Sequence, residues 1–266
     1  MKTILKTSAF IAVLFVVSCK MQENDDLIPI TSASDKAKEL YEQAYQSMIR
    51  LEIAKTGELI NATLKEDSSF FMAKYLGLIY QVHFIGEEEI IDQCLQAVVD
   101  HKSKLSEGEQ MLQQICMTQQ ADQKADISSI ANEIIKHYPK DFWGYYELGA
   151  YQEYVLKDYA AAIETFKTAA EKSNNPITSY NFLGYNYMAN NQLEEASAAF
   201  DKCIELAPDN ANSYNSKGDY YYKTKDYEKA YEYYSKAHSM DSVVFGVNGA
   251  EMAKVMLDSL NRVTDN

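Results

Sequence analysis

The fold is decided by YNFLGYNYMANNQLEEASAAFDKCIELAP, residues 180–208. Gly184 and Ala196 in this stretch have counterparts at Gly218 and Ala230, each 34 positions further along the chain. The remaining landmarks are Tyr180, Leu183, Tyr187, Phe200 and Pro208 in the first copy, and Tyr214, Tyr221 and Tyr234 in the second. A repeat of this period indicates stacked helical hairpins, which share a continuous core and build an extended binding surface.

The residue types at these positions fit helical hairpins for physical reasons. Gly184 lets the two helices of a hairpin approach closely, and Ala196 does the same from the second helix. Phe200 is expected to fill the space between hairpins, and Pro208 ends the second helix because it has no N–H to donate. An upstream copy contains Tyr145, Leu148, Gly149, Ala162, Phe166 and Pro176. It carries one extra residue between its glycine and its alanine, which we expect the hairpin turn to absorb.

The pattern aromatic-x2-Leu-Gly-x2-Tyr, followed by Ala-x3-Phe and Pro, resembles the tetratricopeptide repeat. The resemblance implies an all-α protein, an α-solenoid of stacked antiparallel helix hairpins coiled into a right-handed superhelix. Strong copies are expected at residues 142–176, 177–210 and 211–242, within a repeat region that begins at residue 106. Degenerate hairpins are expected over residues 35–105. Apolar residues at helical spacing within 243–266 predict a C-terminal capping helix.

The N-terminus has the features of a bacterial signal peptide. Two lysines precede a short apolar run that ends in Val-Val-Ser before Cys19. This ending resembles the lipobox of bacterial lipoproteins, which implies that residues 1–18 are removed and that Cys19 is lipidated. Lys20 favours the outer membrane of the cell envelope, and the acids that follow leave periplasmic and cell-surface orientations open. We expect residues 19–34 to be a flexible tether between lipid and domain.

Charge and composition exclude several classes of function. The formal charge of -14 becomes -16 when the two signal-peptide lysines are removed, so we expect no nucleic-acid partner and a membrane contact through the lipid anchor alone. Four widely spaced histidines and the lack of catalytic or phosphate-binding motifs predict no enzyme activity, no metal and no cofactor. Cys94 and Cys116 could pair in one disulfide, whereas Cys203 is expected to be a small buried residue.

The first helix of each strong copy predicts one face of candidate contacts. In the tetratricopeptide family these helices line the concave wall, and their positions two, five, nine and twelve share one face. The predicted partner-binding residues are Trp143, Tyr146, Glu153, Asn181, Tyr185, Met188, Asn212, Asn215, Asp219 and Tyr222. Rings offer contact area at low entropy cost and amides can bond a peptide backbone. Packing against neighbouring helices is the alternative for each ring.

These patterns predict a lipid-anchored envelope adaptor or scaffold that binds a protein or peptide partner through the concave face of its solenoid. Because the face carries acids and amides where some repeats carry lysine and arginine, we expect no clamp for a C-terminal carboxylate. Two alternatives remain open. One is a subunit of an outer-membrane protein assembly machine, and the other is a surface lipoprotein that binds a glycan or another nutrient.

Overall fold

The computed structural model describes residues 26–50 and 52–240, together with residues 251, 254, 255 and 258. In this part of the chain all regular structure is helical and no strand is present, which confirms the all-α solenoid of helix hairpins. Each helix packs mainly against the next one along the chain. The helices are α1 Asp35–Ile49, α2 Ile53–Glu66, α3 Phe71–Tyr80, α4 Glu88–Val99, α5 Glu107–Ala121, α6 Ser128–His137, α7 Phe142–Ala150, α8 Tyr159–Lys172, α9 Pro176–Ala189, α10 Leu193–Leu206, α11 Ala211–Lys223 and α12 Tyr227–Met240.

Two predicted segments fall largely outside the described residues. The signal peptide with Cys19 is one of them, and most of the C-terminal capping helix predicted over residues 243–266 is the other. The four residues described beyond residue 240 are helical. Among the described helices, none combines the length and the apolar character that a bilayer-spanning helix requires.

Gly184 shows why the repeat needs glycine in its first helix. A Cβ atom at this position would lie 2.5 Å from Cε1 of Phe200, whose side chain is fully buried. The glycines of the other two strong copies face the aromatic rings of their own second helices in the same way. Phe200, expected between hairpins, therefore packs first within its own hairpin. Its ring also lies 6.5 Å from that of Tyr220 in the next hairpin.

The extra residue of the first strong copy is absorbed within its first helix, so the expected absorption by the hairpin turn is wrong. After α7 the chain continues as a π-helical segment, Tyr151–Leu156. The left-handed residue of the turn, Lys157, lies five positions before the signature alanine, as its counterpart Asn191 does in the next copy. The hairpin turn thus has the same length in both copies. The extra residue is accommodated in the wider π-helical segment at the end of the first helix. A second π-helical segment, Gln81–Ile85, follows α3, and such segments recur at functional sites.

Residues 26–34 lie against the helices, although we expected them to belong to the flexible tether. Ile28 is 4% exposed, and its N–H donates to Oδ2 of Asp141 at 3.1 Å. The N–H of Thr31 donates to Oε1 of the buried Glu109 at 2.9 Å. One buried isoleucine and two hydrogen bonds to buried carboxylates hold this segment. None of these features creates a periodic pattern, which is why the sequence predicts a tether.

Three capping side chains join the repeat region to the N-terminal segments. Asp141, Asn175 and Asn210 are the N-cap residues of α7, α9 and α11, and each accepts a hydrogen bond from its own helix. Asn175 also donates from Nδ2 to the hydroxyl of Tyr45 at 3.3 Å. Asn210 donates from Nδ2 to the carbonyl oxygen of Ile49 at 3.3 Å. These bonds hold the C-terminal half of α1 against the starts of α9 and α11.

Candidate functional site

A cavity of about 360 Å³ lies between α1 and the first helices of the strong copies. Its wall is largely apolar and aromatic, and α1 covers part of the face that these first helices share. The lining residues are Tyr45, Met48, Ile49, Ile79, His83, Phe142, Trp143, Tyr146, Glu153, Tyr154, Asn175, Ile177, Thr178, Asn181, Phe182, Tyr185, Cys203, Asn212 and Ser213. The predicted concave wall therefore contains a cavity that is partly enclosed.

The structure brings six of the ten predicted contact residues together in this wall. They are Trp143, Tyr146, Glu153, Asn181, Tyr185 and Asn212. Met188, Asn215, Asp219 and Tyr222 do not line it. Met188 packs against the hydrophobic core that the first and second strong copies share, and the ring of Tyr222 packs on that of Tyr227 at 5.4 Å. The cavity ends at the first turn of α11, so later positions on that helix lie beyond it.

Trp143 and Tyr146 form the floor of the cavity and are held by packing. Trp143 is 3% exposed, and its ring lies 5.6 Å from that of Tyr45 and 5.0 Å from that of Tyr75. Tyr146 is 7% exposed, and its hydroxyl lies 2.6 Å from Nε2 of His83. Both residues are part of the hydrophobic core and also line the cavity. A contact with a partner would have to be made inside the cavity.

Asp219 is predicted to contact a partner, but its carboxylate is bonded within the fold. The hydroxyl of Tyr185 donates to its Oδ2 at 2.5 Å, and that of Tyr234 donates to its Oδ1 at 2.7 Å. Burial raises the pKa of the Asp219 carboxyl, although the two donated hydrogen bonds favour the charged form. This network fixes the ring of Tyr185, which lines the cavity and lies 5.2 Å from the ring of Phe200.

Two polar atoms in the cavity wall have no hydrogen-bond partner within the described structure. They are Oδ1 of Asn181 and Oγ of Ser213, and the Ser213 side chain is 1% exposed. Buried polar atoms are nearly always bonded, and leaving one unpaired costs about 1–3 kcal/mol. Both residues line the cavity, so these unpaired atoms lie beside the space that a bound molecule would occupy.

Glu153 supplies the single carboxylate of the cavity wall. It belongs to the π-helical segment after α7, and its Oε2 accepts a hydrogen bond from Nδ2 of Asn186 at 2.8 Å. Burial raises the pKa of Glu153. His83 lies across the cavity on the π-helical segment after α3, and desolvation lowers the pKa of its imidazole below the ordinary 6.5. This desolvation disfavours the positively charged form of His83.

Several residues of this site escaped prediction. Tyr45 and Ile49 come from α1, and His83 comes from the π-helical segment after α3. Both elements are far from the strong copies in sequence. Their place in the wall depends on how the solenoid curves, which local patterns do not encode. Ser213 directly follows the predicted contact Asn212 at the start of α11. Of these missed residues, it is the one whose place in the sequence could have indicated a position near the site.

Among the described residues, neither a metal-binding cluster nor a disulfide is present. No cluster of three or more histidine, cysteine or acidic side chains in this part of the chain is arranged to hold a metal ion. Cys94, Cys116 and Cys203 are all free thiols, so the disulfide considered between Cys94 and Cys116 is absent here. Burial raises the pKa of the Cys116 thiol, which keeps it protonated and unreactive.

Comparison with protein families supports the repeat assignment. Residues 177–210 match a family model described as tetratricopeptide repeat, and residues 199–232 match a second model with the same description. Over residues 177–232 the chain therefore matches the tetratricopeptide repeat, which supports the repeat assignment made from the sequence. No curated protein matches the chain.

Solved structures with a similar fold are distant in sequence. The Cut9–Hcn1 hetero-tetramer of APC/C is 14% identical with a TM-score of 0.48, and the match covers 83% of this chain and 42% of that chain. YrrB, a TPR protein with an unusual peptide-binding site, is 17% identical with a TM-score of 0.41, over 82% and 91% of the two chains. PilW, a widely conserved type IV pilus biogenesis factor, is 11% identical with a TM-score of 0.41, over 85% and 94%. These values concern the fold and carry no functional conclusion.

Proposed function

We propose that this chain is a non-catalytic, lipid-anchored adaptor of a bacterial cell envelope, which binds an extended segment of a protein partner on the concave side of its solenoid. Repeats of this family serve as binding scaffolds in which stacked hairpins present one continuous face. The observation that carries the proposal is the cavity between α1 and the strong copies, where Asn181 and Ser213 leave buried polar atoms unpaired.

An extended peptide fits this site better than a helix does. An α-helix with its side chains is about 10–12 Å across, whereas a cavity of about 360 Å³ lies at the small end of ligand pockets. One inserted side chain with its flanking backbone matches that volume. Amide groups such as those of Asn181 and Asn212 bond peptide backbone without a charge requirement.

The test is partner capture from detergent-solubilised envelope with the wild type and an Asn181→Leu variant. Leucine keeps the size of the side chain and removes its hydrogen-bonding atoms. Asn132→Leu, at an exposed site on α6, is the matched control because Asn132 bonds only the backbone oxygen of Ser128. We expect Asn181→Leu to lose a partner that Asn132→Leu retains. An identical set of captured proteins for all three would refute binding in the cavity.

The lipid anchor is tested separately. The proposal requires Cys19 to carry lipid after removal of residues 1–18, and the lipobox-like ending of the apolar run supports it. A Cys19→Ala variant should lose palmitate labelling and move from the membrane fraction to the soluble fraction. Continued labelling and membrane association of this variant would contradict the anchor and leave the binding proposal unaffected.

A further inference from the structure

The cavity wall is unusually rich in aromatic rings. Seven of its side chains are phenylalanine, tyrosine or tryptophan: Tyr45, Phe142, Trp143, Tyr146, Tyr154, Phe182 and Tyr185. The rings of Tyr146 and Phe182 lie 5.9 Å apart at an interplanar angle of 64°, and those of Trp143 and Tyr146 lie 5.7 Å apart at 89°. Neighbouring rings of the wall are thus strongly tilted relative to each other. Aromatic faces carry negative potential and attract cations.

The charged side chain in the cavity wall is acidic. Glu153 is its carboxylate, and no lysine or arginine is present among its described residues. Desolvation lowers the pKa of His83, which disfavours a positive charge on its ring. The unpaired Oδ1 of Asn181 is an acceptor, which an N–H or O–H donor would satisfy. With a formal charge of -14 for the whole chain, the field at the cavity favours a positively charged group.

Both π-helical segments of the described chain deliver side chains to this one cavity. Gln81–Ile85 carries His83, and Tyr151–Leu156 carries Glu153 and Tyr154. Each segment follows the first helix of a hairpin and ends in a left-handed residue, Gly86 or Lys157. A π-helical turn costs good backbone geometry and is found mostly where it positions functional side chains. The extra residue in the first strong copy therefore creates the π-helical segment that carries Glu153 and Tyr154 into the cavity wall.

We propose that the cavity binds an arginine side chain from the extended segment of the protein partner. This inference rests on the adaptor function proposed above and names the chemistry of its central contact. The guanidinium is planar, so it can lie between aromatic faces while its several N–H groups bond the Glu153 carboxylate and the Asn181 oxygen. A lysine offers a point charge without the planar stacking surface, so it is expected to bind more weakly.

The single tryptophan of the chain makes the test direct. Trp143 lines the cavity, so its fluorescence reports on occupancy without a label. The probe is N-acetyl-arginine amide, and the control is N-acetyl-citrulline amide, which has the same shape without the charge. We expect a saturable fluorescence change with the arginine probe and an affinity for citrulline at least about tenfold lower, because charged hydrogen bonds and cation–π contacts are lost. Equal affinities, or no saturable response to arginine, would overturn the inference.

Glu153→Gln examines the charge from the protein side. Glutamine keeps an oxygen to accept from Asn186, so the fold is expected to persist, and the arginine affinity should fall about tenfold. Glu171→Gln is the matched control, since it removes one charge from an exposed position on α8 outside the cavity. Should both variants bind arginine as the wild type does, the assignment of Glu153 is wrong. The comparison of arginine with citrulline uses the wild type and does not depend on how these variants fold.

The outcomes for arginine binding and for adaptor function are distinguishable. If Asn181→Leu loses a captured partner while the wild type shows no preference for arginine over citrulline, the adaptor proposal stands and the arginine inference fails. If arginine binds as expected and no captured protein depends on Asn181, the chemistry of the cavity stands and the adaptor proposal fails. Stronger binding of the lysine derivative than of the arginine derivative would also overturn the choice of arginine.

Discussion

The hydrogen bond between Asn175 and Tyr45 is a point where one side chain holds two parts of the molecule together. Asn175 is 3% exposed and Tyr45 is 6% exposed. Oδ1 of Asn175 accepts from the N–H of Thr178 at 3.2 Å, and Nδ2 donates to the Tyr45 hydroxyl at 3.3 Å. The first bond caps α9 and the second holds α1. Replacing the residue by serine keeps a good cap but cannot reach Tyr45.

The expected magnitudes follow from this geometry. Asn175→Ser leaves the buried Tyr45 hydroxyl without this donor, and Tyr45→Phe leaves the Asn175 amide unpaired, so each should lower the free energy of unfolding by about 1–2 kcal/mol. Asn175→Ala also loses the cap, which adds about 1 kcal/mol. The double variant Asn175→Ser with Tyr45→Phe removes both partners at once. It should be about as stable as either single variant, giving a coupling energy of about 1–2 kcal/mol.

Urea unfolding followed by far-UV circular dichroism measures these four proteins and the wild type under one condition. A control pair at an exposed position, Asn132→Ser and Asn132→Ala, should change the free energy of unfolding by less than about 0.5 kcal/mol. The reasoning is refuted if the effects of Asn175→Ser and Tyr45→Phe simply add in the double variant. That result would mean that α1 is held without help from this hydrogen bond.

Three further predictions concern other parts of the fold. Gly184→Ala should destabilise the chain by about 1–3 kcal/mol because its new methyl group would press on the buried Phe200 ring, and thermal unfolding measures this loss. Ile28→Ala should cost about 2 kcal/mol and increase protease cleavage between residues 26 and 34, whereas Ile30→Ala, at a 37% exposed side chain, should do neither. Glu147 is buried with a pKa of about 7 against an ordinary 4.5, so the native state holds its proton more tightly and this residue makes stability fall as pH rises from about 5 to 8. Glu147→Gln should remove up to about 3 kcal/mol of that fall, and a stability difference between the two proteins that does not change with pH would contradict the raised pKa.

The hairpins and half of the site are encoded locally, which is why they can be predicted from the sequence. Gly184 and Phe200 lie in one hairpin, and their spacing is fixed by the geometry of two packed helices. The same helical periodicity puts Tyr146, Asn181 and Tyr185 on one wall. These are relations within a hairpin or between adjacent hairpins, and they repeat with the period of the sequence.

The remainder depends on contacts between residues that are far apart in sequence. Tyr45 lies 130 positions from Asn175, and α1 reaches the cavity only because the stacked hairpins curve toward it. Asp219 shares a helical face with predicted contacts, yet two tyrosines of other helices donate to it and keep it inside. An extra residue in a repeat also leaves open whether a turn or a helix absorbs it. Only the π-helical geometry at Tyr151–Leu156 decides that question.

Helix α1 forms part of the cavity wall and is held there by hydrogen bonds to N-cap residues, so loss of these bonds should affect binding in the cavity. Tyr45 and Ile49 belong both to the wall and to the hydrogen bonds with Asn175 and Asn210. If α1 is detached in a fraction of folded molecules, the apparent affinity for arginine should fall in proportion to the fraction that remains closed. Asn175→Ser should therefore weaken arginine binding although it changes no residue that contacts the guanidinium in our proposal. Arginine in turn should raise the unfolding midpoint of this variant, because a ligand that binds the closed form stabilises it. An unchanged affinity in Asn175→Ser would mean that α1 stays closed without the bond to Tyr45, and that the wall is rigid independently of its caps.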